Sequence, residues 1–169
     1  MITTKTNKDL KTVLMDQAKG LSKATAYYEI YDNGKTIFVL PAGQKGAEYN
    51  KTLGYFSNFP GMQTYISLYG SGLFLMQRND ETGEVKEFKV VFLSPLKQIS
   101  VPAGWAMCLV NTGSTYLVVL RSSPLPDKFI NSRPIIEKSG LSYFVIEKKG
   151  EIAFERNPKY RVHPQITTE

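Results

Sequence analysis

The chain of 169 residues contains a single histidine, His163, and a single cysteine, Cys108. His163 lies in the polar C-terminal stretch RVHPQITTE, where we expect a surface residue. A histidine-pair metal site, a Ser-His-Asp triad and a Cys-His pair are therefore excluded. Cys108 has no partner for an internal disulfide and lies in an apolar segment, which favours a small buried side chain over a reactive thiol.

The sequence also lacks long apolar runs, runs of basic residues and internal repeats. Its apolar segments, such as Tyr116–Leu120, have the length of a strand, and the N-terminal stretch MITTKTNKDL has no apolar signal core, so a cytoplasmic protein without membrane contact is expected. Lysine and arginine number 21 against 15 acidic residues, a net charge of +6. Because these basic residues are scattered, they predict a mild attraction for anionic ligands and no nucleic-acid binding.

Short segments of β-branched and aromatic residues are abundant, and turn sequences such as DNGK, PAGQKG and NDETGE separate them. This pattern predicts a β-sandwich or a closed barrel. Near the start, Leu10, Val13 and Leu14 have helical spacing and Gly20 is a favoured helix stop, which predicts one amphipathic helix. The predicted strands are Ala26–Tyr31, Thr36–Leu40, Gln63–Leu68, Gly72–Gln77, Val85–Phe92, Gln98–Val101, Ala106–Val110, Tyr116–Arg121, Ser142–Glu147 and Glu151–Phe154.

We interpret the chain as one domain, because its length allows a single core and is short for two. Its predicted parts are an N-terminal helical segment (1–24), a barrel core (25–123), a surface excursion with a C-terminal hairpin (124–161) and a tail (162–169).

The segment SVPAGWAMCLVN, residues 100–111, combines a Pro-x-Gly turn, a short strand and a closing asparagine. Pro102, Gly104 and Asn111 match the second motif of the cupins, which are double-stranded β-helix (jelly-roll) barrels. Four further segments carry a narrower resemblance: YEIY, EYNKTLGYFS, QTYISLYGSG, and VIEKKGEI followed by NPKYR. From about Tyr28 to Arg161 the chain resembles the archaeal cupin-type glucose-6-phosphate isomerases. The resemblance implies an all-β cupin barrel with an N-terminal helix and additional strands.

In that family TxGHxH supplies two metal-binding histidines, ExYxxxxG a glutamate, and the strand after the Pro turn a third histidine. The resemblance places Tyr55, Ser57, Gln63 and Met107 at these four positions, with one residue missing from the loop before Gln63. Phenol, hydroxyl, carboxamide and thioether are weak or soft ligands for a divalent metal, so we expect no metal cofactor. Gln63 cannot ionise to act as a base, and Met107 is expected to fill the space by packing.

The positions that contact phosphate and sugar in the family correspond to Tyr28, Thr52, Gly54 and Tyr65. Hydroxyls and a glycine N–H are good phosphate donors, so the resemblance implies a retained ligand pocket. Without the resemblance, Thr52-Leu53-Gly54 would equally be an ordinary strand edge, and the two tyrosines would be core residues.

Arg121 shares strand parity with Leu117 and Val119. The simpler prediction is an arginine at the strand end that reaches solvent. If it points inward instead, its fixed charge would partly replace the missing metal for an anionic ligand. A second alternative is that Glu48 reaches the site from another strand, although a solvent or structural role is expected for it.

Three functions remain open from the sequence. The first is a metal-free cupin that binds a sugar phosphate or a similar small anion, with isomerase activity lost or altered. The second is an active glucose-6-phosphate isomerase of glycolysis and gluconeogenesis. The third is a non-catalytic interaction module with a filled barrel, which bulky Tyr55 and Phe56 at the pocket entrance would favour. The resemblance also implies a homodimer.

Overall fold

Two six-stranded sheets form the body of the structure, a computed structural model that describes all 169 residues. The first sheet has the strand order β1-β2-β3-β12-β7-β10, the second β13-β6-β11-β8-β9-β16, and a smaller third sheet β15-β14-β5-β4. In chain order the strands are β1 (Ile2–Thr6), β2 (Thr25–Asp32), β3 (Lys35–Leu40), β4 (Gln44–Lys45), β5 (Glu48–Tyr49), β6 (Tyr55–Ser57), β7 (Gln63–Tyr69), β8 (Gly72–Asn79), β9 (Val85–Leu93), β10 (Gln98–Val101), β11 (Trp105–Val110), β12 (Leu117–Arg121), β13 (Ile130–Asn131), β14 (Tyr143–Lys148), β15 (Glu151–Arg156) and β16 (Ile166–Thr168).

The all-β jelly roll predicted from the sequence is confirmed, and every predicted strand is present. Neighbouring strands run antiparallel except β16, which pairs parallel with β9. One hydrophobic core of 32 buried residues draws on both large sheets. Cys108 is a free, buried thiol, as predicted.

Burial follows the pleat of each strand. In β12, Leu117, Val119 and Arg121 are buried, whereas Val118 and Leu120 between them are half-buried. Residues of the same parity therefore face the core side of the sheet. Strand β8 is buried at its first six positions. On the neighbouring β9, the ring of Phe88 packs edge-on against Tyr143 at the start of β14, with ring centroids 5.0 Å apart.

The prediction of an N-terminal amphipathic helix is wrong. Residues 2–6 instead form β1 at the edge of the first sheet, and two short 3₁₀ helices follow, Lys11–Val13 and Gln17–Leu21. A Cβ atom at Gly20 would lie 2.6 Å from the Cβ of Lys11, so the segment folds tightly back on itself there. The apolar residues Leu10, Val13 and Leu14 are buried as their spacing suggested. The spacing of only three apolar residues fits one compact turn as well as it fits a longer helix.

The C-terminal third contains a 3₁₀ turn (Asp127–Phe129), one short helix α1 (Arg133–Glu137) and the β14–β15 hairpin. The hairpin turns at Lys149 and Gly150, both with positive φ, as a two-residue hairpin turn requires. The tail, expected to be a polar extension, contributes β16 to the second sheet. His163 is half-buried rather than a free surface residue, with its Nε2 2.8 Å from the carbonyl oxygen of Asn157. The helices are at most five residues long, so none of them could span a membrane.

Candidate functional site

A cavity of about 510 Å³ opens on the inner side of the first sheet. Its walls are the cavity-facing residues of β1, β2, β3 and β12, the segment Thr52–Tyr55, and the chain after β12 from Leu125 to Ser132. The strand register explains this wall, because Thr3, Glu29 and Phe38 are direct cross-strand neighbours and must share one face of the sheet.

Arg121 is the last residue of β12 and points into this cavity. It is 4% exposed, because its strand lies between β3 and β7, where Arg121 is opposite Thr36 and Tyr65. Its Nη1 donates to the hydroxyl of Tyr55 at 2.9 Å and its Nη2 to the hydroxyl of Thr36 at 3.0 Å, while Nε has no partner. The expectation of a solvent-exposed arginine is therefore wrong, and the inward alternative is correct.

Tyr55 on β6 is joined to Tyr65 on β7 by a short hydrogen bond between the two hydroxyls. Tyr55 lines the cavity, whereas Tyr65 is 1% exposed and lies behind it, outside the cavity wall. Burial raises the pKa of both phenols, and the nearby Arg121 guanidinium opposes this rise only in part. Both hydroxyls are therefore protonated at neutral pH. Side-chain hydrogen bonds link Arg121 to Thr36 and to Tyr55, and Tyr55 in turn to Tyr65.

Thr52 and Gly54 line the cavity, in line with their expected place in a ligand pocket. The hydroxyl of Thr52 accepts a hydrogen bond from the backbone N–H of Leu109 at 3.0 Å and lies 3.7 Å from the thiol of Cys108. Gly54 has φ +83, and a Cβ atom there would lie 2.9 Å from the carbonyl oxygen of Met107. Thr52 is thus held by β11 of the second sheet, and only glycine fits at position 54 without strain.

Substituting Gly54 with alanine is expected to destabilise the fold by about 2–4 kcal/mol, from a left-handed backbone costing about 1–2 kcal/mol and a backbone clash in addition. Gly83 is the matched control, because it has φ +86 but no atom lies within 4 Å of the place that a Cβ would take. Urea unfolding of Gly83→Ala should show only the conformational cost of about 1–2 kcal/mol. Equal losses in the two variants would mean that the contact with Met107 is unimportant.

Tyr28 does not line the cavity. Strand alternation places it on the opposite face of β2, and its neighbours Tyr27 and Glu29 form the cavity wall instead. Tyr27 is 2% exposed, and its hydroxyl accepts the backbone N–H of Leu53 at 3.3 Å. The resemblance pointed to this strand but to the wrong face of it, so sequence reasoning missed Tyr27 and Glu29.

The side chains of the four residues that the sequence resemblance places at the family's metal-ligand positions make other contacts. Only Tyr55 reaches the cavity, and its oxygen is already bonded to the cationic Arg121. The hydroxyl of Ser57 accepts the backbone N–H of Phe59 at 3.1 Å, the amide oxygen of Gln63 accepts the hydroxyl of Ser123 at 3.0 Å, and Met107 is 1% exposed within the core.

This donor set does not fit a divalent metal, because its members are weak or soft ligands and a guanidinium beside Tyr55 repels a second cation. No group of three or more His, Cys, Asp and Glu side chains is gathered elsewhere in the protein. That no metal cofactor is used remains a prediction, which the chelation experiment described under the proposed function tests.

Glu48 lies outside the cavity and has a structural role. It is 1% exposed, with Oε2 2.7 Å from Nζ of Lys51 and Oε1 accepting the backbone N–H of Met15 at 2.9 Å. Lys51 also donates to the carbonyl oxygen of Val13 at 2.6 Å. The pair therefore ties the N-terminal segment to β5 of the third sheet and to the residues that follow it.

Glu29 is half-buried in the cavity wall, and burial raises the pKa of its carboxyl group, with Lys5 and Arg121 opposing the shift. An acid whose pKa is higher in the folded state stabilises the fold only while it is protonated, and that contribution is lost as the pH rises through the folded pKa.

Glu29→Gln is therefore expected to gain stability relative to the parent protein as the pH rises from about 4 to about 7, since glutamine has no proton to lose. Urea unfolding across this range measures the difference. A constant difference at every pH would show that the carboxyl is not perturbed by folding.

Comparison with known proteins agrees with the sequence resemblance. The family model described as glucose-6-phosphate isomerase (GPI) matches residues 4–163. The glucose-6-phosphate isomerase of Pyrococcus horikoshii is 32% identical over 124 residues, which cover 73% of this chain and 62% of that protein. The enzyme of Thermococcus kodakarensis is 27% identical over 166 residues, covering 90% of this chain and 84% of that one.

The chain thus spans less than two thirds of the Pyrococcus relative. Among solved structures, the Drosophila melanogaster CENP-C cupin domain superposes with a TM-score of 0.41 at 10% identity, covering 56% of this chain and 63% of that chain.

Proposed function

The chain belongs to the glucose-6-phosphate isomerase family, and on that premise we propose that it binds a sugar phosphate or a related small anion in the Arg121 cavity, without a metal. In this proposal the metal-dependent isomerase activity of the family is lost or altered. The observation that carries the proposal is a buried guanidinium that lines an open cavity and has no carboxylate bound to it.

A buried cation without a counter-ion is costly in an isolated protein. Arg121 uses two of its five N–H donors on the hydroxyls of Tyr55 and Thr36. The remaining donors and the full charge suit an anion, and the planar guanidinium matches the oxygens of a phosphate or carboxylate in a bidentate manner. Binding of an anion would therefore supply the partner that the chain itself does not provide.

The cavity has the size and polarity for a phosphorylated sugar. Its volume of about 510 Å³ falls within the range of about 300–1,000 Å³ that small-molecule pockets occupy. Phenol groups of Tyr27 and Tyr55 offer donors and acceptors for sugar hydroxyls, and their rings offer apolar surface. This open volume supports ligand binding over the alternative of an interaction module with a filled barrel.

The direct experiment is a calorimetric titration with fructose 6-phosphate after exhaustive chelation, repeated with added manganese or nickel. Binding is expected in both conditions with affinities that agree within about twofold, because the anion is held by Arg121 and not by a metal. Fructose without the phosphate is the matched ligand control and should bind far more weakly. Binding that requires the metal would support the family mechanism, and no binding in either condition would favour the non-catalytic module.

A further inference from the structure

Two carboxylate side chains line the cavity, Glu29 and Asp127, and they differ in how firmly their backbones are fixed. Glu29 lies in the middle of β2, between its cross-strand neighbours Thr3 and Phe38, so its backbone is fixed from both sides. Asp127 is exposed in the short turn after Pro126 at the cavity rim. A group that must meet one atom of a ligand is better positioned on a paired strand than on an exposed turn.

Glu29 and Arg121 project into the cavity from the same face of the first sheet, separated by about the length of a small ligand. Arg121 is opposite Thr36 on β3, and β3 in turn pairs with β2, so the two residues lie two strands apart on one face. Arg121 is level with Thr36 and Tyr31, whereas Glu29 lies two residues away along β2. With strands about 4.8 Å apart and a rise of about 3.4 Å per residue, the two backbones lie about 12 Å from each other. A phosphate on the guanidinium would therefore leave the carbonyl end of a sugar near the carboxylate of Glu29.

We propose that Glu29 is the proton-transferring group of this cavity and that it interconverts a bound aldose phosphate and ketose phosphate without a metal. The proposal rests on the sugar-phosphate binding proposed above, and it assigns the reaction to a strand that carries none of the four family metal positions. The carbonyl carbon and its hydroxyl-bearing neighbour exchange roles, so the reaction needs no external oxidant or reductant.

The reaction moves only protons and electron pairs within the substrate and between the substrate and groups in the cavity. The carboxylate of Glu29 takes the proton from the carbon beside the carbonyl, the C–H electron pair forms the C=C bond of an enediol, and the carbonyl oxygen receives a proton. Glu29 then returns its proton to the former carbonyl carbon, the C=C pair forms that new C–H bond, and the neighbouring hydroxyl loses its proton as the new carbonyl forms.

Tyr27 is suited to carry the proton between the two oxygens. It lies two residues from Glu29 on the same face of β2, and its hydroxyl accepts from the backbone N–H of Leu53 without donating to any protein atom. Burial raises its pKa, so the phenol keeps the proton that it would donate. Proton transfer by a positioned side chain contributes typically about 10²–10⁴-fold to a rate.

The environment of Glu29 supports a base that works near neutral pH. Burial raises its pKa, Lys5 on β1 and Arg121 on β12 lower it, and Asp127 raises it further. Because the base acts in its ionised form, the exchange rate should fall as the pH is lowered through this raised pKa. The titratable and charged groups that line the cavity with it are the N-terminal ammonium of Met1, Lys5, Tyr27, Tyr31, Tyr55, Arg121 and Asp127.

The test is the incorporation of solvent deuterium into fructose 6-phosphate at C1 and into the glucose 6-phosphate formed at C2, measured by NMR in D₂O after chelation. We expect the parent protein to incorporate deuterium, and Glu29→Gln to lose the rate by about 100-fold or more while binding fructose 6-phosphate within about threefold. Glu29→Asp should keep part of the rate, and the control Glu155→Gln, on the exposed face of β15 and outside the cavity lining, should keep nearly all of it.

The outcomes separate this inference from the binding proposal. If the parent protein binds fructose 6-phosphate but incorporates no deuterium, the proton-transfer role is overturned and the binding proposal stands. Undiminished exchange in Glu29→Gln, loss of exchange in Glu155→Gln, or exchange that appears only with added metal would each overturn the assignment to Glu29. Absence of binding would overturn both.

Discussion

Replacing Arg121 with methionine is expected to reduce the affinity for fructose 6-phosphate by about 100-fold or more, because charge-assisted hydrogen bonds contribute about 1.5–3 kcal/mol each and a bidentate contact has two. The free energy of unfolding should change little. Methionine has similar length and no charge, so the cost of a buried cation without a counter-ion disappears. Tyr55 keeps its bond to Tyr65, which limits what the substitution breaks.

Calorimetry and urea unfolding of the same samples test this combination. Arg121→Lys should bind about 10-fold more weakly than the parent protein, because an ammonium keeps the charge but not the planar pair of donors. Arg156 is exposed on β15 and far along the chain from the cavity wall, so Arg156→Met serves as the matched control and should change neither quantity. Unchanged binding in Arg121→Met, or a loss of stability above about 3 kcal/mol, would mean that Arg121 is a structural residue.

Replacing Lys51 with methionine is expected to destabilise the fold by about 3–5 kcal/mol, which is typical when one partner of a buried ion pair is removed. The change leaves Glu48 charged at 1% exposure, with only the Met15 N–H still bound to it. It also removes the bond from Lys51 to the carbonyl of Val13 and the stacking of the ammonium over Phe144 at 5.1 Å. The N-terminal segment should therefore loosen before the sheets unfold.

A double-mutant cycle with Glu48→Gln measures the coupling, because the double variant should lose less stability than the sum of the single ones. The exposed pair Arg133–Glu137 is the control, with side chains 82% and 59% exposed. Arg133→Met should change the free energy of unfolding by at most about 0.5 kcal/mol. A similarly small effect of Lys51→Met would show that the buried pair does not hold the N-terminal segment in place.

The strands could be predicted from the sequence because their signals are local. Turn glycines such as Gly34 and Gly150 adopt positive φ where the sequence indicated turns, and the segments between them alternate as a half-buried strand does. The N-terminal segment could not be predicted in this way. Its three apolar residues are buried as expected, but the pairing of β1 with β2 is a long-range choice that spacing within residues 1–24 does not contain.

A residue lines the cavity only if it lies on the inner face of its strand, and the sequence left this face undetermined for β2 and for Arg121. Tyr28 and its neighbour Tyr27 are the same residue type one position apart, and only the register with β1 and β3 decides which of them faces inward. The parity of Arg121 with Leu117 and Val119 did indicate the inward alternative. A charged residue at a strand end is ordinarily exposed, and this one is buried because β12 lies inside its sheet.

The sequence resemblance predicts which four residues stand at the family's metal positions, but it could not predict their contacts. Gln63 is bonded to Ser123, which lies 60 residues further along the chain, and Tyr55 is bonded to Arg121, 66 residues away. The first pair follows from the pairing of β7 with β12 in the first sheet, and the second from the packing of the two large sheets against each other. In this arrangement the fixed cation at the cavity is a protein side chain, and this supports anion binding without a metal.

The most direct measurement is a crystal structure of the protein grown with fructose 6-phosphate in the presence of a chelator. The prediction is a ligand in the cavity with its phosphate oxygens within hydrogen-bond distance of the Arg121 guanidinium, and its carbonyl end directed toward Glu29. A metal ion bound among Tyr55, Ser57, Gln63 and Met107 in crystals grown with manganese, or a phosphate held away from Arg121, would contradict a metal-free anion site.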